Sequence, residues 1–361
     1  MLNKNEVLEN ALNGARELME RFTPEELPPS NRFHYHQGVF LSGVEQLYAL
    51  TGEEKLNDYI RAWLNYNIEP DGTAPRCFLG EFDDLQPSVL VFNQYKQTGD
   101  KRYELWLDRL MDIIEPWPTN AQGGVWHKFR NKNQMWLDTM YMMGLITTKL
   151  AMEWNNEYLV YKVHHQMKLM RDNMTNPKTG LLYHMWDDSK ENQFVDKTDG
   201  LVKVHWGRAM GWYVVAMFEI AEEIGMSHPL YQDFIDTGVR YLEAVYKYQD
   251  KETGLFYQVI DYVDDERNWL ETSCTALFVE ACAKAYRLGA IDDSYLEMIE
   301  KGYRGVMSKT ESKDNKLYLS GVCVGTGVGD LQAYFDRPTV TNDLHGMGAF
   351  LLMSAEVAKI L

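Results

Sequence analysis

Apolar residues recur along this chain at helical spacing almost without interruption, and they do so in two styles. Six segments open on a polar or aromatic cluster and then run into a stretch that is apolar on nearly every side. They begin near Tyr35 (YHQGVFLSGVEQLYALTG), Asp83 (DDLQPSVLVFNQYKQTG), Met135 (MWLDTMYMMGLITTKLAMEW), Trp206 (WGRAMGWYVVAMFEIAEEIG), Leu270 (LETSCTALFVEACAKAYRLG) and Asn342 (NDLHGMGAFLLMSAEVAKIL). Between them stand six ordinary amphipathic stretches, which predict helices near 5–22, 53–69, 101–114, 156–174, 229–248 and 292–308. In the first of these, Val7, Ala11, Leu12, Ala15, Leu18 and Met19 share one face. Glycines 52, 99, 225 and 289 punctuate the joins, where a left-handed residue just past a helix end stops it.

Helices apolar all round belong inside, and helices with one apolar stripe face water. The alternation therefore predicts two concentric layers: an all-α (α/α)6 barrel of six inner and six outer helices, forming one catalytic domain over residues 1–361. An open solenoid of helical hairpins is the competing arrangement. The repeat spacing is irregular, with the extra length in the loops that follow the outer helices. Segments 178–189 and 252–265 read there as hairpin-like excursions. A closed ring carries a geometric consequence. Every inner helix starts at the same end, so the polar clusters that open them should converge on one cavity.

Composition narrows the partners. A net charge of −17 gives no basic stripe for nucleic acid. No apolar run reaches membrane-spanning length, and the first residues read as an amphipathic helix, so a cytoplasmic location is expected. The four cysteines (77, 274, 282, 323) are scattered without a CxxC pair and read as buried thiols. A monomer or a weak homo-oligomer is expected. With 10 Trp, 22 Tyr and 14 Phe, the chain has aromatic faces to spare for core or carbohydrate. An acidic protein that binds an anion must supply its own local positive charge.

The inner-helix openings carry the candidate chemistry. Asp138 lies in KNQMWLDTMYMMG, where almost no polar neighbour shares its helical face. Burial there should raise its pKa, as a general acid requires, although a helix N-terminus pulls the other way. Asp83 and Asp84 open the second inner helix; one can cap it while the other faces the cavity. Two carboxylates in one cleft are the usual equipment for glycosyl chemistry.

In HWGRAMGW, Arg208 and Trp212 share a face, and Gly207 with Gly211 allow close helix approach. Arg208 suits a substrate carboxylate or an ion pair with an aspartate; Trp212 suits a sugar face or simple packing. His184, after GLLY, is a site or a loop histidine, and Lys128 in GGVWHKFR is a second cation or a surface lysine. His34 and His36 in FHYHQG lack a nearby acidic or cysteine partner in sequence, so no metal site is expected. His345 in NDLHGMG either lines the cavity or packs at a helix start. The glycine-rich GVCVGTGVGD (321–330) matches neither phosphate-binding pattern and reads as a loop over the ring mouth.

Six motifs in order, FDDLQP, GGVWHK, NQMWLDTMYM, TGLLYHMWD, WGRAMGW and NDLHGMGAFLL, span nearly the whole chain. Through them it resembles glycoside hydrolase family 105, the unsaturated rhamnogalacturonyl hydrolases, and more distantly the unsaturated glucuronyl hydrolases of family 88. The resemblance implies an (α/α)6 barrel acting on small oligosaccharides left by polysaccharide lyases. Their non-reducing uronate carries a carbon 4–carbon 5 double bond, so the reaction is hydration of an enol ether, with no metal or redox cofactor. By motif, Asp138 resembles the family's acid/base and Asp83 its second carboxylate. His184, Arg208 and Trp212 match positions around the unsaturated sugar, and Lys128 and Trp136 match flanking ones. His34, His36 and His345 depart from the pattern and are expected to border the partner-sugar subsite. The linked sugar is expected to be rhamnose. A glucuronyl substrate, an ordinary inverting glycosidase, a sugar epimerase and a non-catalytic glycan-binding toroid are the alternatives.

Overall fold

A computed structural model describes residues 2–361. Among the described residues, twelve helical segments alternate between two layers. The outer ones are Lys4–Arg21, Glu54–Asn67, Lys101–Ile114, Glu157–Met174, Tyr231–Tyr246 and Leu296–Met307. Each agrees with its sequence expectation to within a few residues, because a one-sided apolar stripe is the clearest signal a helix gives.

The inner ones are less regular. Tyr35–Thr51, Gly207–Ile224, Thr272–Arg287 and Leu344–Ile360 are continuous. The second is broken into Phe82–Leu85, a 3-10 stretch Gln86–Leu90 and Val91–Thr98, with Pro87 entering the tight stretch where its missing N–H is least costly. The third starts late, as a π-helical turn Met140–Gly144 that runs into Leu145–Glu153. Met135 and Trp136, expected to open that helix, instead form a short strand. Gln134–Trp136 pairs antiparallel with Met185–Asp187, and the Leu137 N–H donates to the His184 carbonyl. Of the two predicted excursions, 252–265 contributes Phe256–Tyr257, which pairs with Leu270–Glu271, whereas 178–189 contributes Met185–Asp187, which pairs with Gln134–Trp136.

The ring is closed. Each inner segment packs on the next, and Leu344–Ile360 packs both on Thr272–Arg287 and back onto Tyr35–Thr51. Small residues make these seams possible. A Cβ on Gly348 would lie 2.6 Å from the Phe40 backbone nitrogen, and one on Gly211 would lie 2.8 Å from the Leu277 Cβ. The four cysteines are free and buried. No helix of the described residues is long and apolar enough to cross a membrane.

Candidate active site

The openings of four inner helices meet at one end of the ring, around a cleft of about 280 Å³. Tyr35 and His36 come from the first opening, Glu81 and Asp83 from the second, Trp136 and Asp138 from the third, and Trp206 and Arg208 from the fourth. His127, Lys128 and Arg130 line one side, and Gly325–Gly327 of the glycine-rich loop lies over another. Four of the six openings thus line the cleft; those near Leu270 and Asn342 do not, so the convergence expected from the alternating helix pattern holds in part.

Asp138 sits in the turn between the strand Gln134–Trp136 and the π-helical turn; its carbonyl accepts the N–H groups of Tyr141 and Met142. Its side chain is buried but reaches the cleft. Oδ2 lies 3.2 Å from His184 Nε2, and His184 Nδ1 lies 2.6 Å from the Tyr334 hydroxyl. Burial pushes the Asp138 pKa up. The hydrogen bond from His184, with the positive influence of His184 and His127, outweighs it and leaves the pKa below the ordinary carboxylate value. This corrects the expectation of a raised pKa, which took account of apolar neighbours in sequence but not of His184, supplied from just ahead of the distant strand Met185–Asp187.

Asp83 is buried and held by Lys128 Nζ at 2.7 Å, with His127 Nε2 at 3.4 Å. Burial opposes its ionisation, but His127 and Lys128 draw its pKa well below the usual range. Lys128 also reaches Glu81 at 2.8 Å. It is thus a half-buried, paired cation and not a surface lysine, and its charge is already shared by two carboxylates. Neither Asp83 nor Asp84 caps the helix: Glu81 occupies that position, and Asp84 pairs with Arg32 at 2.9 Å. Trp136 stacks on His127 at 4.8 Å and meets His184 edge-on at 5.5 Å, so one indole braces both histidines.

Arg208 is 1% exposed and lies on the cleft wall. Its guanidinium donates to the carbonyls of Cys323 and Val324 at 2.6 and 2.8 Å and lies over the Trp206 ring at 4.6 Å. The alternative reading, an ion pair with an aspartate, is not observed among the described residues. Neutral carbonyls orient the guanidinium but leave its charge uncompensated by direct contact. Trp212, one helical turn deeper, is buried against Tyr141 with ring centroids 4.5 Å apart and does not line the cleft. Its packing role is the one observed.

His36 lines the cleft, and His345 lies behind it, fully buried, with ring centroids 4.9 Å apart. The reading that no acidic residue accompanies His36 does not hold in space. Asp343, from the far end of the chain, places Oδ1 3.8 Å from His36 Nε2 and 2.6 Å from His345 Nδ1. Closure of the ring makes neighbours of residues that no sequence window contains.

Sequence reasoning missed His127, Tyr334, Arg32 and Glu81. His127 adjoins Lys128 in GGVWHK and shared its signal. Tyr334 gave none, since its helix Leu331–Phe335 is short and its partner is His184.

The family model of Glycosyl Hydrolase Family 88 matches residues 12–361. Over 330 residues the chain is 26% identical to the unsaturated rhamnogalacturonyl hydrolase YesR of Bacillus subtilis (strain 168), covering 89% of this chain and 88% of that protein. It superposes on a family 105 glycoside hydrolase of C. acetobutylicum ATCC 824 with a TM-score of 0.90 and 30% identity, covering 96% of this chain and 98% of that one. The unsaturated glucuronyl hydrolase of Bacillus sp. GL1 shares the fold, with a TM-score of 0.72 at 12% identity over 98% of this chain and 96% of that one.

Proposed function

This chain belongs to glycosyl hydrolase family 88, and from that premise we propose that it removes a 4,5-unsaturated uronic acid from the non-reducing end of lyase-generated oligosaccharides, unsaturated galacturonyl-rhamnose being the preferred substrate. The observation that carries the reading is one cleft holding both Asp138, backed by His184, and Arg208, a buried cation that no carboxylate touches. The pair suits a substrate that is at once an anion and a base at carbon. The similarity to YesR supports the galacturonyl-rhamnose choice.

In this reading the uronate carboxylate seats against Arg208, where two parallel N–H donors match its geometry. At rest Asp138 is ionised. An anionic ligand arriving beside it, with loss of water from the cleft, pushes its pKa upward, so proton uptake accompanies binding. Asp138 then protonates carbon 4 of the enol ether. The developing positive charge falls on carbon 5 and the ring oxygen, and water adds at carbon 5 as its proton passes to the Asp138 carboxylate. The hemiketal collapses, the ring opens and the linked sugar leaves. His184 fixes the carboxylate and is itself fixed by Tyr334. Asp83, kept ionised by Lys128 and His127, accepts hydrogen bonds from sugar hydroxyls.

The test is incubation with a panel of unsaturated disaccharides made by lyases. Loss of the ultraviolet absorbance of the conjugated double bond, fastest with the galacturonyl-rhamnose member, is expected. Unchanged absorbance across the panel would overturn the reaction; preference for a glucuronyl member would overturn the substrate.

A further inference from the structure

We propose that His36, His345 and Asp343 form a binding site for one divalent transition-metal ion of the zinc class, set in the seam where the last inner helix meets the first. One ring nitrogen of His36, one of His345 and a carboxylate oxygen of Asp343 all lie within 4.8 Å of one another. An ion with bonds of about 2 Å holds tetrahedral ligand atoms roughly 3.4 Å apart. The separations from Asp343 Oδ1, 2.6 Å to His345 and 3.8 Å to His36, fall on either side of that value.

The hydrogen bonds fix the available nitrogen of His345 and permit the matching one in His36. His345 Nε2 lies 3.0 Å from the Cys323 carbonyl, which can only accept, so Nε2 carries the hydrogen. His345 Nδ1 is buried, and its close neighbour is Asp343 Oδ1 at 2.6 Å. His36 Nδ1 lies 2.9 Å from His34 Nδ1, so one ring donates to the other. With the hydrogen on His36 Nδ1, its Nε2 presents a lone pair toward Asp343. Each imidazole is then anchored through one nitrogen and open at the other, the second-shell arrangement that metal-binding histidines use. Two lone pairs and an anion facing one another repel unless a proton or a metal ion lies among them, and the metal ion engages all three groups at once.

The site has access and a purpose. His36 and Asp343 line a second cavity of about 490 Å³, bounded also by Arg32, Pro29 and Asn342, and His36 faces the active cleft as well. An ion in this wall would tie the helix Tyr35–Thr51 to the helix Leu344–Ile360 and would keep open positions for water or an oxygen ligand. This inference does not depend on the hydrolase reading, since it is tested by metal binding alone.

The experiment is titration of untagged, chelator-dialysed protein with zinc sulfate by calorimetry, and with cobalt(II) by visible absorption. One equivalent is expected, with the intense visible bands of a four- or five-coordinate cobalt ion and a rise of several degrees in the melting temperature. Asp343→Asn retains a good helix cap and so keeps the fold. His36→Gln removes a nitrogen ligand. Each is expected to weaken binding at least about tenfold, the lower end of what even outer-shell changes cost. Absence of a saturable equivalent, or affinity unchanged in both variants, would overturn the proposal.

Discussion

Asp138 and His184 meet at 3.2 Å between Oδ2 and Nε2, and the far nitrogen of His184 is tied to Tyr334 at 2.6 Å. The histidine holds the carboxylate in place and also keeps it acidic. Asp138→Asn is expected to lower kcat by about a hundredfold or more, the usual worth of a general acid, with KM changed little. Steady-state assays on an unsaturated disaccharide check it.

The same contact sets the pH profile. In the proposed reaction the protonated form of Asp138 is the active one, so kcat/KM is expected to fall as pH rises through its free-enzyme pKa, which lies below the ordinary carboxylate value. Bound uronate raises that pKa, so the kcat limb should lie at higher pH than the kcat/KM limb. In His184→Gln the restraining influence weakens, and both limbs should move to higher pH. Identical limbs in the variant and the parent would exclude this role.

Arg208 and Trp212 share a helix face, yet one lines the cleft and the other packs on Tyr141. Arg208→Lys keeps charge but not the two-pronged geometry. It is expected to raise KM at least about tenfold, as for a lost charge-assisted contact of roughly 1.5–3 kcal/mol. Trp212→Phe is expected to leave KM within a factor of about three and to cost about 1–3 kcal/mol of stability through lost packing. Substrate kinetics beside urea unfolding separate the two.

Lys128 stands between Asp83 and Glu81 in a mostly dry wall. Removing it leaves a buried carboxylate without its nearest cation. Lys128→Ala is expected to destabilise by about 3 kcal/mol, and adding Asp83→Asn should recover part of that loss. Urea unfolding of the single and double variants measures the coupling.

At the opposite end of the ring, Glu45 lines a small cavity with Asn93, Lys149 and Glu219. Burial raises its pKa to about 7, opposed by a hydrogen bond from Asn93. The folded state therefore holds this proton more tightly than the unfolded chain does. The resulting stability is complete below about pH 4.5, the unfolded value, and is lost as pH rises through about 7. Melting temperature should fall between these values in the parent and fall less in Glu45→Gln.

The fold was legible because period and polarity agreed along whole helices. Val7, Ala11, Leu18 and their counterparts in the other outer helices declare an inward face. The ends were harder. Met135 and Trp136 look helical in sequence, and pairing with Met185–Asp187 makes them a strand. Asp83, Asp138, Arg208 and Lys128 stood out because charge in an apolar context is costly and demands a reason. Their relations did not. The Asp138 acidity depends on His184, the Arg208 orientation on Cys323 and Val324, and the His36 environment on Asp343, all across long chain separations.

The seam at Gly348, where the last inner helix lies against the backbone of Val39 and Phe40, has a bearing on biosynthesis. On a ribosome the first eleven of these helices emerge with the circle still gapped. Cys323 and Val324, which anchor Arg208, and Asp343, which faces His36, are all translated after the helix openings that line the cleft. The cleft is therefore completed only once the helix Leu344–Ile360 has emerged, and a nascent chain stalled before that point would present an apolar trough where this helix belongs, a natural target for chaperones.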